Sequence, residues 1–300
     1  MENPKLIVIV GPTASGKSEL AVKVAKRFNG EVISADSRQV YKGMDIGTGK
    51  ITKKETHGIP HHLLDVASPK KIFTVTQCRK LALKAIDKIL KRGKLPILCG
   101  GTGFYIQAVV DGLVIPEVPP DWKLRKKLEK KSVEELYQIL KKLDPRRAKT
   151  IDKKNPRRLI RAIEIVKKTG KSVPALEMQP LSYPILIIGI KKSPDELKKL
   201  IEKRLAKRLK QGMISEVKKL HNSGVSWKRL EDFGLEYRWL SRYLRTPDVR
   251  KLETIGLLIG LLQKDIEHFA KRQMTWFKKD KRIRWVKNYQ EAEELIKKFP

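Results

Sequence analysis

Residues 6–18, LIVIVGPTASGKS, decide how this chain is read: a five-residue apolar run breaks into a glycine-bounded loop that ends in Lys17 and Ser18. Leu6 to Val10 is short, uninterrupted and rich in β-branched side chains, the pattern of a parallel strand buried on both faces. Gly11, Gly16, Lys17 and Ser18 fill every fixed position of GxxxxGK[ST], and Leu20, Ala21, Val24, Ala25 and Phe28 follow at helical spacing. Strand, loop and helix come in the order that a phosphate cradle needs. From Gly11 through Pro12, Thr13, Ala14 and Ser15 to Gly16, the backbone can aim successive N–H groups at one anion, and the helix N-terminus adds its partial positive charge. Lys17 brings a full charge, and the Ser18 hydroxyl suits a phosphate-bound Mg²⁺. The loop does not say which diphosphate it holds.

Charge is the next signal. Lys and Arg total 67 against 33 acidic residues, a formal balance of +34, and the excess is spread from about residue 70 onward. Such a surplus suits a polyanion, nucleic acid first, because neutralising phosphates releases counterions; a lineage-wide basic composition is the competing explanation. An apolar content of 40% supports a real core in one large domain or a domain with an insertion. Cys78 and Cys99 lie in apolar settings without metal or redox spacing, so reduced core thiols and a cytoplasmic location are expected. Neither a leader nor a membrane-spanning run is expected.

Along the chain, EVISA at 31–35 predicts a second strand with Asp36 at its carboxyl end, the edge of an open parallel sheet where ligands bind. If the two strands are neighbours, Asp36 faces the cradle. There it accepts a proton or orients a nucleophile, or else it serves as a turn or cap aspartate. YKGMDIGTGK, 41–50, reads as a substrate-side loop. His57, His61 and His62 lack zinc-like partners, and the LLDV that follows predicts a third short strand. Thr74 to Arg92 predicts a helix opened by a Thr74–Gln77 capping box. LPILC at 95–99 predicts another buried strand running into a second glycine turn, GGTGFYIQAVV.

IPEVPP after Gly112 marks a boundary, and the stretch to about residue 180 is helical and basic, with a Ser132–Glu135 capping box and a helix from Asn155–Pro156 to Gly170. Arg157, Arg158 and Arg161 lie within about one turn of each other, either as a phosphate-gripping face or as an ordinary solvated one. YPILIIGI, 183–190, restores a strand. Residues 116–180 are therefore expected to form a helical insertion in an α/β core built from 1–115 and 181–300. Ser193, Pro194 and Glu196 predict a capping box opening a helix on which Arg204 and Arg208 share one face. Residues 251–279 read as helix, KRIRW as a short strand and EAEELIKKF as a closing helix, with Trp276 and Phe277 packing rather than stacking on bases.

GPTASGKS (11–18), DSRQVYKGMDIGTGK (36–50), HHLLD (61–65), GGTGFYIQA (100–108), NPRRLIRAIE (155–164) and AKRQMTWF (270–277) together resemble the tRNA dimethylallyltransferases, or tRNA isopentenyltransferases, over nearly the whole chain. The resemblance implies a P-loop NTPase-like α/β core, its parallel sheet flanked by helices, with the insertion gripping a tRNA anticodon stem-loop. It implies dimethylallyl transfer from dimethylallyl diphosphate to N6 of the adenosine 3′ of the anticodon, with Mg²⁺ and release of diphosphate. By the same likeness Thr13 and Arg204 touch the diphosphate alongside Lys17. Asp36 is the base, and Ser37, Arg38, Gln39 and Thr102 receive the target nucleotide. Arg125, Asn155, Arg157, Arg158, Arg161, Tyr237 and Arg238 hold RNA. GLEYRWL at 234–240 and Ile266–Phe269 depart from the usual pattern. A monomer without membrane contact is expected.

The chemistry of the residues agrees. An adenine amino group is a weak nucleophile that needs a proton acceptor, which Asp36 can supply, and the leaving diphosphate gathers charge that the cradle, Lys17 and the metal can stabilise. Two other classes stay open: a small-molecule P-loop kinase or NTPase, although LPILCGG and ILIIGI end in glycine turns rather than an acidic residue, and a non-catalytic RNA-binding protein. A prenyltransferase acting on free adenine nucleotides is a fourth reading.

Overall fold

Alternation of apolar side chains along the first strand sets up two layers. In the computed structural model, which describes residues 4–114, 116, 118–175, 177–246 and 251–300 (251–254 in backbone only), β1 spans Leu6–Val10 and all five residues are buried. Leu6, Val8 and Val10 point to one face, where they join Ile33, Leu98, Ile106 and Val109. Ile7 and Ile9 point to the other, with Leu20, Ala21, Val24 and Ala25 of the following helix. Each such aliphatic side chain, fully buried, contributes about 1.5–3 kcal/mol, which makes a strand hydrophobic on both faces the centre of the sheet.

The sheet has six strands in the order β3-β2-β4-β1-β7-β8. These are β2, Gly30–Ser34; β3, His61–His62; β4, Leu95–Gly100; β7, Ile185–Ile190; and β8, Arg284–Val286. All pairings are parallel, with Val10 opposite Gly100 on one side and Gly189 on the other. Helix α1, Lys17–Arg27, carries the chain from β1 over β4 to β2. Helix α3, Gly103–Val110, starts the connection that leads from β4 past β1 to β7. The connections leaving two adjacent strands run in opposite directions, which opens a crevice at their carboxyl ends.

Several boundaries differ from expectation for physical reasons. The third strand is the His61–His62 pair rather than LLDV, because Leu63 and Asp65 take left-handed φ values of 64° and 56° that end extended backbone. Helix α2, Val75–Lys91, carries the reciprocal Thr74–Gln77 box. Helix α8, Pro194–Lys210, has only half of the expected one: Ser193 Oγ accepts from Glu196 N at 3.2 Å, but the Glu196 carboxylate pairs with Lys192 Nζ at 2.6 Å instead. A third cluster, from α8, α9 (Met213–Asn222), α10 (Trp227–Phe233), α11 (Leu235–Arg245) and α12 (Lys251–Phe277), closes around Val40, Tyr41 and Met44. Phe277 is core, whereas Trp276 is 41% exposed and lies against Gly103. The last helix, α13, is Tyr289–Lys297.

The described residues separate into two units, Met1–Gly112 with Pro180–Pro300, and Leu113–Gln179. The second holds α4 (Trp122–Leu128), α5 (Val133–Leu143), α6 (Pro145–Thr150) and α7 (Pro156–Thr169) around its own core of Leu128, Leu136, Leu140, Leu159 and Ile163. A two-strand antiparallel ribbon, β5 (Leu113–Val114) with β6 (Glu177–Met178), belongs to the same unit and is not among the elements expected from sequence. Among the described residues no helix is long and apolar enough to cross a membrane.

Candidate active site

Three turns at the carboxyl edge of the sheet build the site. The first is the loop from Gly11 to Gly16, in which Ala14 has φ 62° and Gly16 φ 88°. A left-handed alanine costs roughly 1–2 kcal/mol, strain that the flanking strand and helix hold in place. Lys17 Nζ curls back to donate to Pro12 O at 3.1 Å, and Ser15 Oγ is buried without a partner. Burial pulls the Lys17 ammonium below its ordinary value; Arg204 and Arg208 push the same way, while Cys99 and Asp36 oppose them.

The second turn follows β2. Asp36 Oδ1 accepts from Arg38 N at 2.8 Å and Gln39 N at 3.3 Å, so one carboxylate oxygen fixes the turn and the other is left over. The turn and the reactive readings of Asp36 thus use different oxygens. β4 lies between β1 and β2, so the two strands are not adjacent, contrary to the condition set by the sequence reading.

What joins them is the third turn, Gly100–Thr102. A Cβ at Gly100 would run into the Ala35 carbonyl, so only glycine lets the two chains come this close. Thr102 N donates to Ala35 O at 3.3 Å, and Ser37 N donates to Thr102 Oγ1 at 3.0 Å. Gln273 of α12 completes the stitching: its Oε1 accepts from Thr13 N at 2.8 Å and its Nε2 donates to Gly101 O at 2.8 Å. Gln273 stands inside AKRQMTWF, where nothing in the local pattern points to a partner so far away in the chain.

Arg204 Nη1 approaches Thr13 Oγ1 at 3.4 Å, bringing α8 to the cradle. Burial and the neighbouring Arg208 press its guanidinium down to about 10, still far above neutrality, so it stays charged. The 41–50 loop is fastened from behind. Glu216 of α9 accepts from Asp45 N (2.8 Å), Ile46 N (2.6 Å) and Gly47 N (3.0 Å). Lys50 Nζ donates to Tyr41 O, Asp45 and Asp65. Gln39 Nε2 reaches Gly49 O at 3.3 Å, and Arg38 is engaged by Phe233 O at 2.8 Å.

The cradle residues, Asp36 to Gln39, Thr102 and Arg204 therefore meet at one sheet edge. Arg125, Asn155, Arg157, Arg158 and Arg161 belong to the Leu113–Gln179 unit. There Asn155 Oδ1 caps α7 through Arg158 N at 3.3 Å, and Arg157 and Arg158 are exposed. Arg125 and Arg161 both turn inward to Glu164, which is fully buried, so the predicted three-arginine face keeps only Arg157 and Arg158 on the surface, Arg158 within 3.9 Å of Asp152. Tyr237 is corrected outright as an RNA contact: it is 2% exposed, packs against Phe233 and donates its hydroxyl to Glu216 Oε1 at 2.7 Å. Arg238 on the same helix is half-buried, with Nε on Glu231 O at 3.4 Å. His62 Nε2 lies 2.7 Å from Glu31, and His61 Nδ1 lies 2.8 Å from Ile59 O.

A family model described as IPP transferase matches residues 39–280. A tRNA dimethylallyltransferase of Acetivibrio thermocellus is 41% identical over 302 residues, covering 97% of this chain and 95% of that one. Among solved structures, the full-length tRNA isopentenylpyrophosphate transferase of Bacillus halodurans superposes with a TM-score of 0.72 at 37% identity, covering 98% of this chain and 96% of that one. A eukaryotic dimethylallyltransferase captured acting on tRNA superposes with a TM-score of 0.79 at 26% identity, over 99% of this chain and 80% of its own.

Proposed function

This chain belongs to the IPP transferase family, the tRNA dimethylallyltransferases, and on that premise we propose that it transfers the dimethylallyl group of dimethylallyl diphosphate to N6 of the adenosine 3′ of the anticodon in tRNA. The observation that carries the reading is the convergence of the Gly11–Ser18 cradle, the free oxygen of Asp36 and the basic α8 on one crevice.

In the reaction, the N6 lone pair forms a bond to the allylic C1 as the C1–O bond to the diphosphate breaks. The N6 proton passes to Asp36, whose Oδ1 is already held by two backbone donors and so presents Oδ2 in a fixed direction. The negative charge that collects on the departing diphosphate falls to the cradle N–H groups, Lys17, Thr13 and Arg204. The target base must leave its stack to reach this depth, and Ser37 and Thr102, already bonded to each other, border the place it would enter.

A Mg²⁺ fits here through the Ser18 hydroxyl at the start of α1 and the oxygens of the diphosphate; it would supply further charge neutralisation on the leaving group. Among the described residues no group of three or more His, Cys, Asp or Glu is poised to hold a metal by itself, so the ion would arrive with its diphosphate. Exposed Arg157 and Arg158, and the basic surplus as a whole, suit the RNA backbone. A tRNA partner and two buried, unpaired thiols favour action in the cytoplasm, and one chain contains every group the chemistry uses, which suits a monomer.

Incubation of the protein with labelled dimethylallyl diphosphate, Mg²⁺ and an anticodon stem-loop bearing the adenosine tests the reading. Label on N6 of that adenosine is expected. Label on free AMP, or ATP turnover without RNA and no transfer to it, would overturn it.

A further inference from the structure

Arg208 of α8 has no part in the reaction as derived above, yet its position is unusual. It is 7% exposed, and its Nη1 is doubly occupied, donating to Gly47 O at 3.1 Å and to Glu236 Oε1 at 2.9 Å. Its Nη2, equally buried, has no hydrogen-bond partner. A buried cationic N–H left unpaired is among the more expensive arrangements in a protein interior, and it persists where a ligand completes it. The direction of this nitrogen is also fixed. A Cβ at Gly49, whose φ is +60°, would overlap both Arg208 Nη2 and Arg204 Nη2, so the two guanidinium groups end side by side in the place that a side chain at Gly49 would take. Both line a narrow cavity with Thr13 and Ala14 of the cradle. Two like charges brought together under cover, facing a phosphate loop, call for an anion between them.

We propose that Arg208 is a second diphosphate-binding guanidinium, which places Nη2 beside Arg204 on the oxygens of the leaving diphosphate. The proposal rests on the prenyl-transfer reading of the crevice and deepens it. Glu236 and Gly47 O hold Nη1, and this splits the side chain into an anchored half and a ligand-facing half. The anchored half is itself supported, because Glu216 fixes the backbone of Gly47 through its N–H at 3.0 Å. The forked guanidinium allows both tasks at once because its two terminal nitrogens are held apart in one plane and face different partners, whereas the three N–H groups of a lysine all leave from one nitrogen.

The test is calorimetric binding of inorganic diphosphate, with Mg²⁺ at constant ionic strength, to the wild type, to Arg208→Lys, and to the double variant Arg208→Met with Glu236→Gln. The lysine variant keeps a cation for Glu236, and the double variant removes the buried pair together, so that neither leaves a lone charge. Thermal melts identify folded protein in each case. A loss of roughly 10- to 100-fold in diphosphate affinity is expected in both variants, since one charge-assisted hydrogen bond is at stake. Affinity equal to the wild type in either folded variant overturns the proposal, as does a wild type that transfers prenyl groups but binds no diphosphate. A wild type that binds diphosphate through Arg208 yet transfers nothing to RNA supports the anion site and counts against the prenyl-transfer reading instead.

Discussion

Two buried charge clusters in this chain differ in how completely their donors are answered. In the Leu113–Gln179 unit, Glu164 is fully buried and every direction is answered: Arg125 Nε and Nη2 each donate at 2.7 Å, Arg161 Nη1 donates, and Asp121 N adds 2.6 Å. Burial alone would raise its pKa, but these donors outweigh it and hold the carboxyl below its ordinary value. In the crevice, Lys17, Arg204 and Arg208 gather around Asp36 and Glu236, and one guanidinium nitrogen is left with nothing to bind. A cluster that is complete within the protein holds structure together. One that leaves a buried donor open is arranged for something that arrives from outside.

The contrast can be broken at either end. The largest effect is expected from Glu164→Ala, which strands two arginines in the insertion and should lower stability by about 3–5 kcal/mol in a denaturant titration. Lys17→Ala should act the other way round. It relieves cationic crowding, so the melting temperature should hold or rise, while transfer falls by roughly 10²- to 10³-fold in a steady-state assay, because a donor to the developing charge is gone. Gln273→Ala cuts the stitch between Thr13 N and Gly101 O and should slow transfer by about tenfold through misplacement of the cradle, with kcat falling more than KM rises.

The smallest effect is the pH dependence. Glu164, and likewise Glu31, which is buried yet paired with His62, Lys94 and Arg92, have folded-state values below the ordinary 4.5. Their stabilisation is thus complete above about pH 4.5 and lost as pH falls through those lower values, a decline that thermal melts between about pH 7 and about pH 3 would record. If melting is flat through that range, the satisfied clusters contribute less than their geometry implies.

Local patterns made much of the fold legible. The buried strand at Leu6–Val10, the Thr74 and Ser132 capping boxes and the Gly170 stop depend on residues near one another in the chain, and the structure has each of them. What the sequence hid was long-range. Nothing near Gln273 tells that it bridges the first and third turns, and nothing near Glu216 tells that it receives three amides of the 45–47 loop. Tyr237 misled for the same reason: a tyrosine on a helix face is compatible with RNA or with a core, and only packing against Phe233 and Glu216 decides. Arg208 was visible as a partner of Arg204 on one face, but the division of its nitrogens between an anchor and a cavity belongs to the folded chain alone.

The measurement that bears most directly on the crevice is single-turnover transfer of labelled dimethylallyl diphosphate to an anticodon stem-loop by Asp36→Asn, with diphosphate affinity measured in parallel. Asparagine keeps an oxygen for Arg38 N and Gln39 N, so the turn survives and only the proton acceptor is removed. Asp36 as the base predicts a loss of about 10²-fold or more in the transfer rate with diphosphate binding unchanged. Transfer at the wild-type rate by this variant would contradict it and confine Asp36 to holding the turn.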